Sequence, residues 1–436
     1  MEIKQRRSNL ELLRIVAMLM IIAFHIYWHC VSGQLTDPDS MERMGNGLFS
    51  VPLFYKKLLL LTVFSSFGRA ANVVFMTLTG YFMVAKGREI RLIPIAKKLL
   101  LEQGYDVAGV TMALYDQGDI GKKTRSCCSA DDIADARSVC ARLGIDHYVF
   151  NMGNIFHKEV IDRFISGYQC GLTPNPCIDC NKYVKFDALL RRAGDVGCWR
   201  IATGHYARIE YDDAAQRILL KTAADDHKDQ TYFLYSMTQE QLARVKFPLG
   251  GLTKPETRRL AEKAMLTNAR KPDSQDICFV PDGDYAGFIE RTTGQAPKPG
   301  DFLDTEGRVI GQHRGLVHYT VGQRKGLGFA FPEPHYVCSK DAQHNTVTIG
   351  TSERLFAKRL LAGDCNWIAV QALTAPMRVQ AKIRYGQKAQ PATLFPDENG
   401  TVIEFDEPQR AISPGQATVW YDGDVVVGGG TIIKSL

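Results

Sequence analysis

The chain has 436 residues, too many for one ordinary domain, so two to four are expected. Its net charge of +6 is mildly basic, which permits a polyanionic partner without pointing to one. Eleven cysteines, an odd and unevenly spread set with no obvious cleavable leader, argue for a reducing, cytoplasmic compartment and against a disulfide-stapled secreted scaffold.

Two apolar runs, Leu12 to Tyr27 and Ala70 to Ala85, stand near the start, with a mixed stretch at Val51–Phe67 between them. A bilayer-spanning helix needs about 20 mostly apolar residues, so both runs are marginal, and Arg14 and His25 raise the insertion cost of the first. Basic flanks (Lys4, Arg6 and Arg7 before; Lys86, Arg88, Arg91, Lys97 and Lys98 after) fit a helical hairpin with both ends on the cytoplasmic side. The alternative is a pair of buried helices in a soluble domain. Residues 1–97 are therefore predicted to be a hydrophobic helical segment with possible membrane contact; beyond it no run could span.

From Leu99 the texture changes to α/β. LLLEQGYDVAGVTMAL (99–114) predicts a helix end, a stop at Gly104 and a strand Val107–Met112. Ser129 and Asp132 open a helix with apolar Ile133, Ala136, Val139, Cys140 and Leu143 at helical spacing, ended by Gly144; HYVFNM (147–152) is the next strand. Helix–strand alternation argues for a parallel sheet covered by helices, and RIATGHYARI (200–209) for a further strand ending in a Gly-His turn at the ligand-binding edge. Thr253 and Glu256 form a capping box, with Pro255 in the first turn of a helix. After residue 300, short alternating runs such as TVTIG, RVQAKIRY, TVIEF and ATVWY, separated by turns, predict a small all-β barrel. No internal repeat or low-complexity tract is present.

Three cysteines sit where packing does not explain them. Cys177 and Cys180 form a C-x-x-C in TPNPCIDCN (173–181), and Cys278 lies in KPDSQDICF (271–279). Polar neighbours stabilise and expose a thiolate, which suits sulfur chemistry. The rival reading is a three-thiolate metal or iron–sulfur site; C-x-x-C without a second pair is weak zinc signal, and adjacent Cys127 and Cys128 are too close together to be that pair.

Seven motifs in order, TPNPCIDCNKYVKFD, ATGHYAR, KDQTYFLY, KPDSQDICF, VGQRKGLG, KIRYGQ and SPGQA, closely resemble the bacterial tRNA-specific 2-thiouridylase family over about the last three-quarters of the chain. That resemblance implies a PP-loop-type, Rossmann-like domain (98–240, with 271–284 returning to it), a small central domain (241–302) and a C-terminal tRNA-binding β-barrel (303–436). It implies ATP with magnesium, a tRNA anticodon stem-loop as substrate, and a cysteine desulfurase or sulfur-relay protein as donor. By resemblance Cys278 carries a persulfide and Cys180 is the nucleophile that attacks it, leaving a Cys180–Cys278 disulfide. The family's acid/base position falls on Cys177, which makes proton shuttling there doubtful, with Asp179 nearby. Asn175, Pro176, Cys177, His205, Lys228, Asp229, Gln230, Arg384, Tyr385 and Gln416 are the implied tRNA contacts, and Met112 and Gly204 the implied nucleotide contacts. Arg314, His318, Arg324 and Lys325 form a further basic stripe. No resident metal is implied.

One part of the family pattern is missing. Its opening strand and phosphate-wrapping SGGxDS loop have no counterpart here, and glycine-rich GQRKGLG (322–328) and VGGG (427–430) lie in the β-region. In its place stands RRSNLELLRIVAMLMIIAFHIYWH followed by GRAANVVFMTLTGYFMV, which resembles the start of the acyltransferase type 3 membrane family, with Arg14 and His25 at that family's active-site positions. A fragment of two or three helices cannot enclose an acyl donor and acceptor, so no catalysis is assigned to it. The expectation is a joined chain impaired in ATP-dependent thiolation, its central strand lost and the sheet left with apolar edges. The alternatives are a membrane-tethered tRNA-binding chimera without catalysis and, less favoured, a membrane acyltransferase.

Overall fold

The computed structural model describes residues 89–91, 99–114, 130–263, 277–280 and 282–436. The two apolar runs, the acyltransferase-like segment, Cys127 and Cys128 lie outside them. Among the described residues no helix is long and apolar enough to cross a membrane.

The first layer is a parallel sheet. Strands β1 (Glu89–Arg91), β2 (Val107–Ala113), β3 (His147–Asn151), β4 (Arg200–Ala202) and β7 (Val245–Lys246) lie in the order β3-β2-β1-β4-β7. β2 is buried along nearly its whole length, as a strand covered on both faces must be. Helix α1 (Ala130–Arg142) connects β2 to β3. The capping box at Thr253 forms as predicted: the Thr253 amide donates to Glu256 at 2.8 Å, opening the helix Lys254–Lys263.

The central slot corrects one expectation. Three residues, Glu89–Arg91, pair in parallel register with β2 (Ile90 opposite Ala108) and with β4 (Ile90 opposite Ile201). The sheet is therefore continuous and presents no apolar edges at its centre. Strand pairing uses main-chain N–H and C=O groups, so a segment of unrelated sequence can fill the slot.

Two helical runs cover the sheet and carry the chemistry-bearing loop. The first, α2, spans 153–169 and widens to a π-turn at His157–Ile161. The second, α3, spans 176–195, with a π-segment at Cys180–Ala188. Such widened turns are rare and concentrate at functional sites.

The β-region after residue 300, expected as one barrel, divides into two sheets. β8 (Gly300–Leu303), β9 (Val309–His313), β10 (His335–Asp341) and β11 (Thr346–Thr351) form a four-stranded sheet around Phe302, Val337, Val347 and Ile349. β12 (Phe356–Trp367), β13 (Met377–Lys382), β14 (Gln390–Asp397), β15 (Gly400–Arg410), β16 (Ala417–Asp422) and β17 (Val425–Ser435) close into a six-stranded barrel, because β12 pairs with both β15 and β17. Its core centres on Trp420, Phe405, Leu360 and Leu394. The VGGG run lies in β17. A Cβ at Gly429 would sit 2.6 Å from the Tyr235 ring and 2.7 Å from the Thr418 carbonyl oxygen, so only glycine admits this close approach.

A hairpin from the first domain, β5 (Arg208–Asp212) and β6 (Arg217–Lys221), extends the barrel sheet through Val425 opposite Lys221. Asp424 fastens it, accepting from Arg208 at 2.8 Å and lying 3.3 Å from Lys221. Asn366 of β12 also donates to the carbonyls of Tyr235 (2.6 Å) and Met237 (2.9 Å). Barrel and catalytic layer are thus one interlocked body.

Candidate active site

In an open parallel sheet, ligands bind beyond the carboxyl ends of the strands where the order reverses. Here the reversal lies at β1, flanked by β2 and β4. Met112, near the end of β2, and Gly204, just past β4, lie on either side of that slot, the positions implied for nucleotide contact. Met112 is a buried core residue, and Gly204 is half-buried.

The C-x-x-C stretch begins on a cap. Asn175 accepts the Cys177 amide at 3.2 Å and Pro176 occupies the first helical position, both favourable at a helix start. Helical phase then separates the thiols: Cys177 is exposed, while Cys180, at the start of the π-segment, is buried with 9% exposure. Cys278 is half-buried, and both it and Cys180 pack against the same hydrophobic cluster. Its neighbour Phe279 anchors the segment on α2, meeting Phe156 at 5.8 Å and Phe164 at 5.3 Å. Among the described residues no three cysteine, histidine or carboxylate side chains converge to hold a metal ion. The residues present do not fit the three-thiolate cluster.

Next to Cys180, burial pushes the Asp179 carboxyl up to about 6, against the opposing pull of Arg163 and Lys182. A carboxyl poised there can hold or release a proton near neutrality. Arg163 itself lies over the Tyr183 ring at 4.5 Å and bonds Glu159 at 3.0 Å.

His205 lies beyond β4, its Nδ1 2.7 Å from the Thr203 hydroxyl and its ring between Phe186 and Phe247. Although part of the residue reaches solvent, desolvation of the imidazole, with Lys185 adding, holds its pKa well below the usual histidine value. His205 is therefore a neutral hydrogen-bonding group.

The turn 228–230 is built more for architecture than for reach. Asp229 is 7% exposed; its carboxylate accepts the Ala223 amide (3.1 Å) and the Thr231 hydroxyl (2.7 Å). Gln230 accepts the Tyr206 amide at 2.9 Å. Of the three implied tRNA contacts in this turn, two thus spend their acceptors inside the chain; Lys228 is half-buried.

Distant motifs meet around this turn. Tyr385 of KIRYGQ is 41% exposed and its ring lies 4.5 Å from Phe233 of KDQTYFLY. Arg384 beside it turns inward, donating to the carbonyls of Arg410 and Ala411. Gln416 of SPGQA donates to the Thr173 carbonyl at 2.8 Å, and the Thr173 amide donates back to Pro414 at 2.8 Å. The barrel therefore grips the loop that leads into Cys177. From the other side, Lys340 of β10 donates to the carbonyls of Leu172 (3.3 Å) and Tyr319 (2.9 Å).

Three positions escaped the sequence reading. Asn181, whose side-chain amide donates to the Phe233 carbonyl at 3.0 Å, and Phe233 lie inside the quoted motifs, where their neighbours drew the attention; Lys340 has no sequence signal at all. In the basic stripe, His318 is drawn toward Glu290 at 3.6 Å.

Comparison with known proteins agrees with this arrangement. Residues 94–282 match the family described as tRNA methyl transferase HUP domain, 286–351 its PRC-barrel domain, and 357–432 the aminomethyltransferase beta-barrel domain. The chain is 51% identical to the tRNA-specific 2-thiouridylase MnmA of Acetivibrio thermocellus over 341 residues, covering 78% of this chain and 95% of that protein. Identity is 51% to the protein of the same name from Heliobacterium modesticaldum (78% and 90% covered) and 48% to that of Clostridioides difficile (78% and 95%). Over these three matched modules, the chain belongs to the tRNA-specific 2-thiouridylase family.

Proposed function

We propose that the site delivers sulfur to C2 of the wobble uridine of a tRNA, with Cys278 as persulfide carrier and Cys180 as attacking thiol. The observation that carries this reading is the shared packing of Cys180 and Cys278 against one cluster, with the loop that leads into Cys177 bonded to both β-modules. The Cys180 thiolate attacks the Cys278 sulfur, and the bond to the outer sulfur breaks. That sulfur keeps the electron pair and bonds to C2 as the C2–O2 bond breaks, the oxygen leaving as AMP once ATP has adenylated it, while a Cys180–Cys278 disulfide remains for an external thiol to reduce. The outer sulfur comes from a cysteine desulfurase or sulfur-relay donor. In this reading Asp179, whose carboxyl burial raises to about 6, handles the proton beside Cys180 rather than exposed Cys177.

A base can be reached only out of its stack, so the anticodon nucleotide must leave its stack to meet Asn175–Cys177. Lys228, His205 and Tyr385 are the further residues this reading assigns to the tRNA, while Arg384 holds the turn under Tyr385.

The family's nucleotide chemistry fits this chain poorly. The residues following β1 are LIPIAKK (92–98), which contain no glycine and no hydroxyl group. Such a segment cannot supply the ring of close backbone amides that wraps phosphates. Activation of the uridine oxygen is therefore where this chain falls short, while tRNA binding and thiol exchange stay in place. The test is 2-thiouridine formation by this chain beside a version carrying an SGGxDS strand and loop in place of residues 1–97. Activity only in the second supports the reading. Equal activity in both refutes the impairment, and Cys180→Ser or Cys278→Ser leaving the second active refutes the sulfur assignment.

A further inference from the structure

Tyr385 does not stand alone. Its ring centroid is 4.5 Å from that of Phe233 at an interplanar angle of 40°, and 6.1 Å from that of Tyr232. Tyr232 is fully buried, stands edge-on to Phe233 (5.5 Å, 89°), and donates its hydroxyl to the Ala417 carbonyl at 2.9 Å. The Phe233 main chain is fixed at both ends: its amide donates to Gln230 at 3.0 Å, and its carbonyl accepts the Asn181 amide group at 3.0 Å. Asn181 is 2% exposed and immediately follows Cys180. An exposed Tyr385 ring, backed by half-buried Phe233, is thus held in fixed register with the attacking thiol. Phe233 comes from the catalytic layer, Tyr385 from the barrel.

We infer that Phe233 and Tyr385 together form a stacking platform for an unpaired nucleobase of the anticodon loop, with Phe233 as the positioning residue that sets the tilt of Tyr385. The inference rests on the tRNA reading above and adds to it a contact made by ring stacking rather than by charge. An exposed ring such as Tyr385 has little to gain from solvent, whereas a base laid on it gains roughly 1–3 kcal/mol. The neighbouring Arg384 is occupied by two main-chain carbonyls, so it stiffens the turn under Tyr385. Because Asn181 ties the same backbone to the Cys180 helix, seating the base on the rings fixes its distance from the sulfur. The platform therefore bears on the rate of sulfur delivery as well as on affinity.

The test is equilibrium binding of an anticodon stem-loop RNA to the full chain and to Phe233→Leu, Phe233→Met, Phe233→Trp and Tyr385→Leu, at two salt concentrations. Phe233→Leu and Phe233→Met are expected to weaken binding about 5- to 30-fold, the equivalent of roughly 1–2 kcal/mol, with the salt dependence unchanged because no phosphate contact is lost. Phe233→Trp restores binding, and Tyr385→Leu reproduces the loss. Combining Phe233→Leu with Tyr385→Leu adds less than the sum, since the two act as one unit. A merely structural role would lower the thermal midpoint and would not be rescued selectively in RNA binding. If the unaltered chain fails to bind the stem-loop, the tRNA reading fails with the platform. If it binds and both Phe233 variants bind within about twofold, the platform alone is overturned.

Discussion

Replacing Gly415 by alanine should loosen the loop before Cys177 more than any other single methyl in the barrel. Gly415 has φ of +88°, and a Cβ there would lie 2.8 Å from the Leu172 Cβ and 2.9 Å from the Thr173 nitrogen. The left-handed backbone costs an L-residue about 1–2 kcal/mol. Relieving the overlap requires the 172–173 loop to withdraw, which stretches two 2.8 Å hydrogen bonds, Thr173 to Pro414 and Gln416 to Thr173. Each contributes roughly 0.5–1.5 kcal/mol. Together Gly415→Ala should cost about 2–5 kcal/mol of folding stability, read as a lowered urea midpoint. Gly423→Ala is the control: its φ of +56° carries the backbone cost, but nothing stands within 4 Å of the new methyl. The functional readout is the alkylation rate of buried Cys180 against exposed Cys177, followed by mass spectrometry; Gly415→Ala should raise the ratio and Gly423→Ala should not. Equal stability loss in the two variants, with the Cys180 ratio unmoved in both, would refute the claim that the barrel holds this loop.

Asp179, raised to about 6, binds a proton in the folded chain that the unfolded chain has already released. Stability should therefore fall as pH rises from about 4 to about 6, by up to roughly 3 kcal/mol, and Asp179→Asn should flatten that part of a denaturation–pH curve. Burial lowers Lys340 to about 8, so here the unfolded state holds the extra proton. Stability should rise between about pH 8 and 10, and Lys340→Met should remove the rise while increasing Cys180 alkylation. Asp424→Ala deletes two ion pairs, but Asp424 is about half exposed and Lys221 keeps Glu210 at 3.0 Å, so its cost in urea denaturation should stay near 1 kcal/mol or less.

Where local chemistry dictates structure, the sequence was readable. The alternation and stops around 107–113, 130–142 and 147–151 correspond to real elements, and the Thr253–Glu256 box forms as its spacing requires. What could not be read depends on partners far along the chain. Alternating runs announce strands but not which strands join, so division of 300–435 into an open sheet and a closed barrel was hidden until β12 met β17. The Asn181–Phe233 bond crosses 52 residues and the Lys340–Leu172 bond 168, distances over which no periodicity speaks. The motif residues themselves were legible, but their division of labour was not. Asp229 and Gln230 stand in a motif that suggests RNA contact, and the structure spends their acceptors on the turn itself.

Strand β1 separates what a fold demands from what a reaction demands. Every strand in the sheet asks the same thing of its neighbour: amides and carbonyls at fixed spacing, which Glu89–Arg91 supply to both β2 and β4. A triphosphate asks for something narrower, a tight turn in which consecutive N–H groups point at one anion, and that needs glycines at particular positions. Glu89–Arg91 meet the first demand, and in the reading proposed above LIPIAKK (92–98), which has no glycine, does not meet the second. The consequence is a separation of two properties that are usually lost together. Cooperative unfolding, tRNA binding and Cys180 burial should match those of a loop-bearing version closely. Nucleotide binding should differ by orders of magnitude, and titration of both proteins with ATP against thermal stability would expose the difference directly, since only a chain that binds the ligand gains stability from it.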